Sequence, residues 1–483
     1  MKQNDGGPIK TFGWQLAKAV LAAVVVIVYS RGMGAYGRGV LSILLLNLQM
    51  TLMVSELLSG GALANLLAKY PAKRILPTAW TFLLLVLGCG YLVGWYQFVL
   101  PNQGDLPLNF DHPRIILLNL LFFQGLFLGS LSIQFNVFQV KGWIQQRNQL
   151  QLALEVLKLL GLALCFEAMY GFVFPKISAM ELSARDMVVP VGQTTHYVHG
   201  FDEMAVLWVL VYASGLVCVM SAFYLWRKGA FQDKGNSEGQ TSSIRPPKEM
   251  FESGVLSQTG HILLFLLYRL PLWWMAADFG NAEAGVLANA LLMADTIWIF
   301  GNSFGTILHS RMLRLGGNRK KFSRLLAMYV LYSGLGTLCA ILMAALLPKD
   351  LYTWVFGETF TTLKETFVLL SPAVLFLGIS APIGHYLHAQ NRFKALILSY
   401  GLAVAVLFAG WTMMDVYVAS LTSAHGILSG IERYIQSYLG KLMVVNLAFL
   451  VLLLLNCFQV RKDIKWRGIW LLMRRLYHRK TSK

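Results

Sequence analysis

Charge is what this sequence has least of. Only 13% of its residues are Asp, Glu, Lys or Arg, against 56% that are apolar, whereas soluble domains carry about 25% charged residues. Negative charge is scarcer still, with 23 Asp and Glu against 41 Lys and Arg, a net +18. The positive surplus forms no basic soluble domain of the kind that grips nucleic acid; it sits in short segments between apolar runs. Cysteine is sparse too. Cys89, Cys165, Cys218, Cys339 and Cys457 all fall inside apolar runs. Their odd number and lack of metal spacing imply neither a disulfide framework nor a zinc site, so they read as small packing residues. No small-residue cleavage site follows the first apolar run, which therefore reads as a span and not a signal peptide. The chain also lacks a glycine-rich nucleotide loop, a Walker motif and a candidate catalytic triad. It reads as a non-enzyme with no cofactor.

What the chain does have is a succession of apolar runs about 20 residues long, the length that spans a bilayer as a helix. The runs are continuously apolar and do not alternate, which points to helices and away from a barrel. The expected fold is an all-α membrane protein of about twelve transmembrane helices. The spans fall at about 12–30, 40–60, 77–99, 115–138, 149–174 and 204–226, then about 256–277, 285–308, 325–347, 366–387, 395–416 and 438–459. With the N-terminus in the cytoplasm, most Lys and Arg fall in the cytoplasmic segments. The outer segments keep Arg31, Arg38, Arg114, Lys176, Arg185, Lys349, Lys364, Arg433 and Lys441, and the spans keep Lys18, Lys158 and Arg269. This is the asymmetry of the positive-inside rule, and a missed helix would scramble it downstream. Both termini are expected in the cytoplasm.

The two sets of six resemble each other. Gly34, Gly39, Val40 and Leu41 recur as Gly280, Gly285, Val286 and Leu287, an offset of 246 residues. The same orientation in both sets implies a parallel duplication about an axis along the membrane normal. The expected organisation is an N-terminal lobe at 1–233, a polar cytoplasmic linker at 234–255, a C-terminal lobe at 256–462 and a basic tail at 463–483. In the tail, Trp466, Ile469, Trp470, Met473 and Leu476 recur at helical spacing with Arg467, Arg474 and Arg475 between them. That pattern describes an amphipathic helix lying on anionic membrane lipids.

Ionisable groups inside spans are expensive to bury and mark function first. They are Lys18, Glu56, Glu155, Lys158, Glu167, Arg269 and Asp295. Glu155 and Lys158 stand three apart, on one helix face, which also suits a self-neutralised structural pair. Lys18 lies within snorkelling reach of the surface. Arg269 is the deepest cation; its planar fork suits phosphate oxygens, and the adjacent Pro271 frees a backbone carbonyl. A salt bridge to Asp295 is the competing role, and the two are compatible if substrate displaces the aspartate. Asn47, Gln49 and Asn289 add polar groups to spans 2 and 8, although such residues mostly bond neighbouring helices. His385 and His388 are one turn apart on span 10, with no third ligand in view, which argues against a metal.

Several segments resemble a family when taken in order. Ser30-Arg31-Gly32-Met33-Gly34-Ala35-Tyr36-Gly37-Arg38-Gly39 resembles the Gly-x-x-Tyr-Gly turn of bacterial polysaccharide flippases. Glu56-Leu57-Leu58-Ser59-Gly60 with Lys69-Tyr70 is similar to that family's end of span 2. Tyr268-Arg269, Gly285-Val286-Leu287, Phe356-Gly357-Glu358-Thr359-Phe360 and Tyr386-Leu387-His388-Ala389-Gln390-Asn391-Arg392 are similar in the second half. Together they resemble the multidrug/oligosaccharidyl-lipid/polysaccharide exporter superfamily. The resemblance implies two pseudo-symmetric six-helix lobes around a central cavity, working by alternating access in the bacterial inner membrane. It implies a polyprenyl-diphosphate-linked oligosaccharide as substrate, flipped to the outer leaflet for surface polysaccharide synthesis, with other polysaccharide-assembly membrane proteins as partners. The diphosphate site would draw on Arg269, Lys18, Lys158, Asp295, Glu155, Asn47, Gln49 and Asn289. The coupling ion stays open between proton and sodium, with the membrane potential as a third source. Drug/cation antiport within the superfamily and a polysaccharide polymerase or ligase are the alternatives.

Overall fold

The computed structural model describes residues 8–59, 72–98, 113–170, 203–230, 248–314, 319–390, 392–425 and 430–461, with Leu63 and Leu67. Among the described residues twelve α-helices follow in order: α1 Pro8–Ser59, α2 Ala72–Phe98, α3 Pro113–Val140, α4 Ile144–Tyr170, α5 Glu203–Arg227, α6 Lys248–Phe279, α7 Asn281–Arg314, α8 Arg319–Leu346, α9 Lys349–Phe356, α10 Leu363–Ala389, α11 Phe393–His425 and α12 Gly430–Val460. Among the described residues there are no strands. Among the described residues, eleven helices are long and apolar enough to cross a membrane. In such segments every backbone N–H must be satisfied within the helix, because hydrocarbon offers no partner.

The first of these helices accounts for two spans. It is 52 residues long, and at about 1.5 Å per residue it far exceeds a hydrocarbon core of ~30 Å. It is broken at Gly34, whose φ of 67° and ψ of −177° are non-helical. The expected loop between spans 1 and 2 is therefore a kink one residue wide, and Arg31 and Arg38 lie in helix on either side of it. The short α9 is an additional element, too short to span. The linker from 234 to 247, most of the outer connection after α4, and the tail helix at about 463–479 lie outside the described residues.

The chain divides into two compact units. The first comprises 1–255 with 276–285 and 353–360; the second comprises 256–275, 286–352 and 361–483. In the first unit α1 packs on α4, α2 on α3, and α3 on α5. One core joins Val25, Tyr29, Met33 and Leu41 of α1 to Leu120, Leu162 and the α5 run Val206, Leu207 and Leu210. Another joins Leu76, Ala79, Leu83 and Leu87 of α2 to Ile133, Val137 and Phe138 of α3. Polar residues in these helices stitch neighbours together: Ser214 Oγ donates to Gln124 Oε1 at 2.8 Å, and Ser221 donates to Gln134. In the second unit α12 packs on both α10 and α11, and α8 packs on α10. There Tyr268 meets Trp298 and Phe449.

The repeat shows itself in a contact inside the first unit. Gly280 has φ 97°, matching the left-handed conformation of Gly34 at the equivalent place. A β-carbon on Gly39 would fall 1.8 Å from the Asn281 carbonyl oxygen, and one on Gly285 would fall 1.8 Å from the Ala35 carbonyl oxygen. The 246-residue offset carries Gly39 onto Gly285 and Ala35 onto Asn281, so the contact is reciprocal. Each glycine admits the backbone of the other repeat.

Candidate functional site

The first unit gathers charge on one face of α4. Arg147, Glu155 and Lys158 recur at spacings that keep them on one side of a helix. Lys158 Nζ lies 3.0 Å from Glu155 Oε1, and the two side chains are 16% and 8% accessible. Lys18 of α1 faces this group, within electrostatic reach of Glu155, Arg147 and Lys158. Arg147 donates from Nη1 to Gln139 Oε1 at 2.7 Å and stacks over Phe135, while its buried Nε has no hydrogen-bond partner. Lys18 thus has one carboxylate and two further cations within its electrostatic reach, and of the cations Lys158 is the one in ionic contact with Glu155. Lys18, Glu155 and Lys158 are brought together as candidates. Arg147 is the member that sequence reasoning missed, because a cation at the edge of a span reads as a loop residue. Its one-face spacing with Glu155 and Lys158 was the available signal.

Asn47 and Gln49 of α1 do not join that group through any bond seen here. The backbone carbonyl of Asn47 accepts from Thr51 Oγ1 at 3.1 Å, its Oδ1 is buried without a hydrogen-bond partner, and Gln49 is exposed. Glu56 lies 3.5 Å from Ser132 Oγ, a long contact near the end of span 2.

Near the kink, the backbone N–H of Ala35, released from helical bonding by Gly34, donates to Thr359 Oγ1 at 3.1 Å. Arg31 Nη1 donates to the Trp354 carbonyl at 2.8 Å. Arg38 is buried, 2.6 Å from Ser42 Oγ and over the Tyr29 ring. The segment Phe356-Gly357-Glu358-Thr359-Phe360 thus serves to cap the α1 kink, with Gly357 at φ 109° making the approach.

In the second unit, Arg269 Nη2 lies 2.8 Å from Asp295 Oδ2, the side chains being 23% and 34% accessible. Its guanidinium stands over the Tyr268 ring at 4.9 Å, and Tyr268 donates to the Leu291 carbonyl at 2.9 Å. Asn289, two residues before Leu291 on α7, is fully buried. A second ionic pair lies elsewhere in this unit: Lys441 Nζ is 2.6 Å from Asp415 Oδ1, with Lys441 only 2% accessible and Asp415 52%. Lys441 also stands over Trp411. It belongs to α12, which runs from Gly430 to Val460; the sequence reading counts it with the outer charges although it lies just inside the expected span 438–459.

His385 and His388 have neighbours that the sequence could not show. His309 of α7 lies 6.4 Å and 5.5 Å from them, ring centre to ring centre, and His261 of α6 lies 6.2 Å from His388. Among the described residues, no group of three or more His, Cys, Asp or Glu has metal-holding geometry.

Neither a family profile nor a curated protein sequence matches the chain. Solved structures do. The eukaryotic MATE transporter AtDTX14 aligns at TM-score 0.59 and 14% identity over 97% of this chain and 98% of its own. The MATE multidrug transporter DinF-BH, solved in complex with R6G, aligns at TM-score 0.60 and 12% identity over 96% and 95%. An inward-facing multidrug-resistance MATE family transporter of the MOP superfamily aligns at TM-score 0.56 and 11% identity over 92% and 95%. With these neighbours spanning almost its whole length, the chain has the twelve-span, two-lobe fold of the MATE transporters of the MOP superfamily.

Proposed function

We propose that this protein flips a polyprenyl-diphosphate-linked oligosaccharide across the bacterial cytoplasmic membrane by alternating access, for cell-surface polysaccharide synthesis. The observation that carries the reading is the charge of the first unit: Lys18 with Arg147, Lys158 and the carboxylate of Glu155 within its electrostatic reach, Lys158 being paired to Glu155. Ionised groups in a span are tolerated where they meet water or a charged ligand. A surplus of cations suits a diphosphate, whose passage through hydrocarbon would otherwise carry a prohibitive desolvation cost. Arg269 in the second unit offers a bidentate fork that Asp295 occupies in the resting protein and an anionic substrate displaces. The lipid tail stays in the bilayer while the polar head passes.

Drug export is the second reading, favoured by the multidrug transporters among the structural neighbours. The same charge argues against it here, since a cationic drug meets three cations and one carboxylate. The test is reconstitution of the full chain in liposomes with a fluorescent polyprenyl-diphosphate oligosaccharide. Protection of the glycan from a membrane-impermeant lectin supports flipping. Efflux of rhodamine 6G without glycan transfer overturns it in favour of drug export, and growth of the glycan chain overturns it in favour of a polymerase. On this reading the partners are the lipid-linked glycan, membrane lipids and other polysaccharide-assembly membrane proteins.

A further inference from the structure

Four imidazoles from three helices meet at one end of the second unit. His261 lies a little before the middle of α6, His309 near the end of α7, and His385 and His388 in the last turns of α10. Ring centres are 5.5 Å apart for His309 and His388, 6.2 Å for His261 and His388, and 6.4 Å for His309 and His385. The fold makes room for them. A β-carbon on Gly305 would fall 2.1 Å from the His385 ring, so only glycine admits that imidazole. Phe393 closes one side, edge-on to His388 at 5.0 Å. His309 Nδ1 is 3.4 Å from the His385 carbonyl oxygen, a contact that favours the Nδ1–H tautomer and leaves Nε2 to take up a proton.

We propose that His261, His309, His385 and His388 form one shared proton-binding site. Imidazole is the side chain whose charge changes near neutral pH. Four of them this close cannot all be charged, because each proton bound repels the next, and such groups titrate as a set. The electrostatic neighbours of His385 are the other three histidines, and His261 and His309 act on His388. The remaining titratable groups at this end are of other kinds. Arg311 of α7 lies over Tyr329 of α8. Arg392 precedes α11 and Lys394 lies in its first turn, and Tyr400 of α11 lies beside Gly384 and Gly260, where a β-carbon would meet its hydroxyl and its ring. Cys457 and Arg461 close α12, the latter over Phe458.

The site fits a proton better than a metal, since the described side chains do not converge on one point. A proton from water on the basic side, where Arg311, Arg392 and Lys394 lie, binds one ring nitrogen and raises the charge of this end by one. It leaves by the same nitrogen when the site faces a more alkaline phase. That is the chemistry a proton-coupled transporter requires, and it does not depend on which substrate is carried.

The test uses the full chain with isotope-labelled histidine in lipid bilayers. Ring nitrogen resonances are followed by solid-state NMR from pH 4 to 9, and assigned with single His→Gln variants. The expected result in the wild type is that the four rings titrate together over a range wider than one site shows. In H388Q, which removes one ring from the set, the other three are expected to titrate over a narrower range than the four do in the wild type. H309Q provides the same reading on its three remaining rings should H388Q fail to fold. Four independent single-site curves overturn the proposal. So does stoichiometric binding of added Zn(II) that shifts all four rings, which assigns a metal instead. No glycan enters this assay, so its failure leaves the flippase reading standing, and failure of glycan transfer leaves the proton site standing.

Discussion

Arg269 and Lys441 are both cations in membrane-spanning helices paired with an aspartate, and they differ in what the pairing permits. The Arg269 pair is partly accessible on both sides, so water or an anion can compete for the guanidinium. Lys441 is almost wholly enclosed and lies against Trp411, which suits a structural member. Arg269→Ala is therefore expected to abolish glycan transfer while leaving the melting temperature of the purified protein within a few degrees of wild type. Arg269→Lys is expected to retain part of the rate, because charge survives and bidentate geometry does not. Normal transfer by Arg269→Ala removes this residue from the site. For Lys441 the expectation is reversed. Lys441→Ala opens a cavity and costs about 2 kcal/mol or more, whereas Lys441→Met keeps the volume and stays within about 1.5 kcal/mol of wild type; thermal unfolding in detergent separates them. The Arg269–Asp295 pair was legible in the sequence, because the two residues stand at comparable distances from the turn at Gly280. The enclosure of Lys441 was not, because its neighbours Asp415 and Trp411 lie on another helix, and a one-dimensional pattern does not show which helices pack together.

Among the elements, the Gly34 kink in α1 is held from outside. It frees the Ala35 N–H, and Thr359 accepts it. Removing that acceptor leaves a backbone donor with its hydrogen bond unmade, so Thr359→Val is expected to cost about 1–3 kcal/mol, whereas Thr359→Ser is expected to cost less than half as much. Gly39 and Gly285 are held more tightly, since the clash at each is with a backbone carbonyl that cannot rotate away. Gly39→Ala and Gly285→Ala are each expected to destabilise by about 1–3 kcal/mol through overpacking. Because both sit in one reciprocal contact, the double variant is expected to cost less than the sum, as residues sharing a contact do. Additive costs in a thermal or denaturant series would mean that the two glycines act separately. The sequence offered the glycine pairs as turn markers. It gave no sign that each glycine meets the other repeat, because a one-dimensional pattern shows the helix face but not the neighbour. The histidine cluster was hidden for the same reason: two of its members are a turn apart, and the other two lie more than 70 residues away in the chain.

At the scale of the whole molecule, the twelve spans were legible because two physical signals are redundant there. Apolar length sets each crossing, and the alternation of Lys and Arg between successive connections sets its direction. The structure keeps every expected span, even where it replaces the first loop by a kink, and the likeness to the MATE fold extends over almost the whole chain. Arg31, Arg38, Lys364, Arg433 and Lys441 lie in helices, beside or just inside the expected outer connections. Orientation is then a prediction with little room to move. Arg311 and Arg314 near the end of α7 and Arg319, Lys320 and Lys321 at the start of α8 make one dense basic connection, and the segment after Val460 makes another. Translocating either one would oppose the positive-inside bias of the whole chain. Fusions of a fluorescent protein after Arg319 and after Lys480 are expected to fluoresce. Alkaline phosphatase fused at the same points is expected to be inactive, since it folds only in an oxidising compartment. Phosphatase activity at one point and not the other would mean an odd number of crossings between them and would break the parallel repeat. Activity at both would invert the molecule, put the histidine cluster on the outer side and reverse the direction from which its proton is taken up.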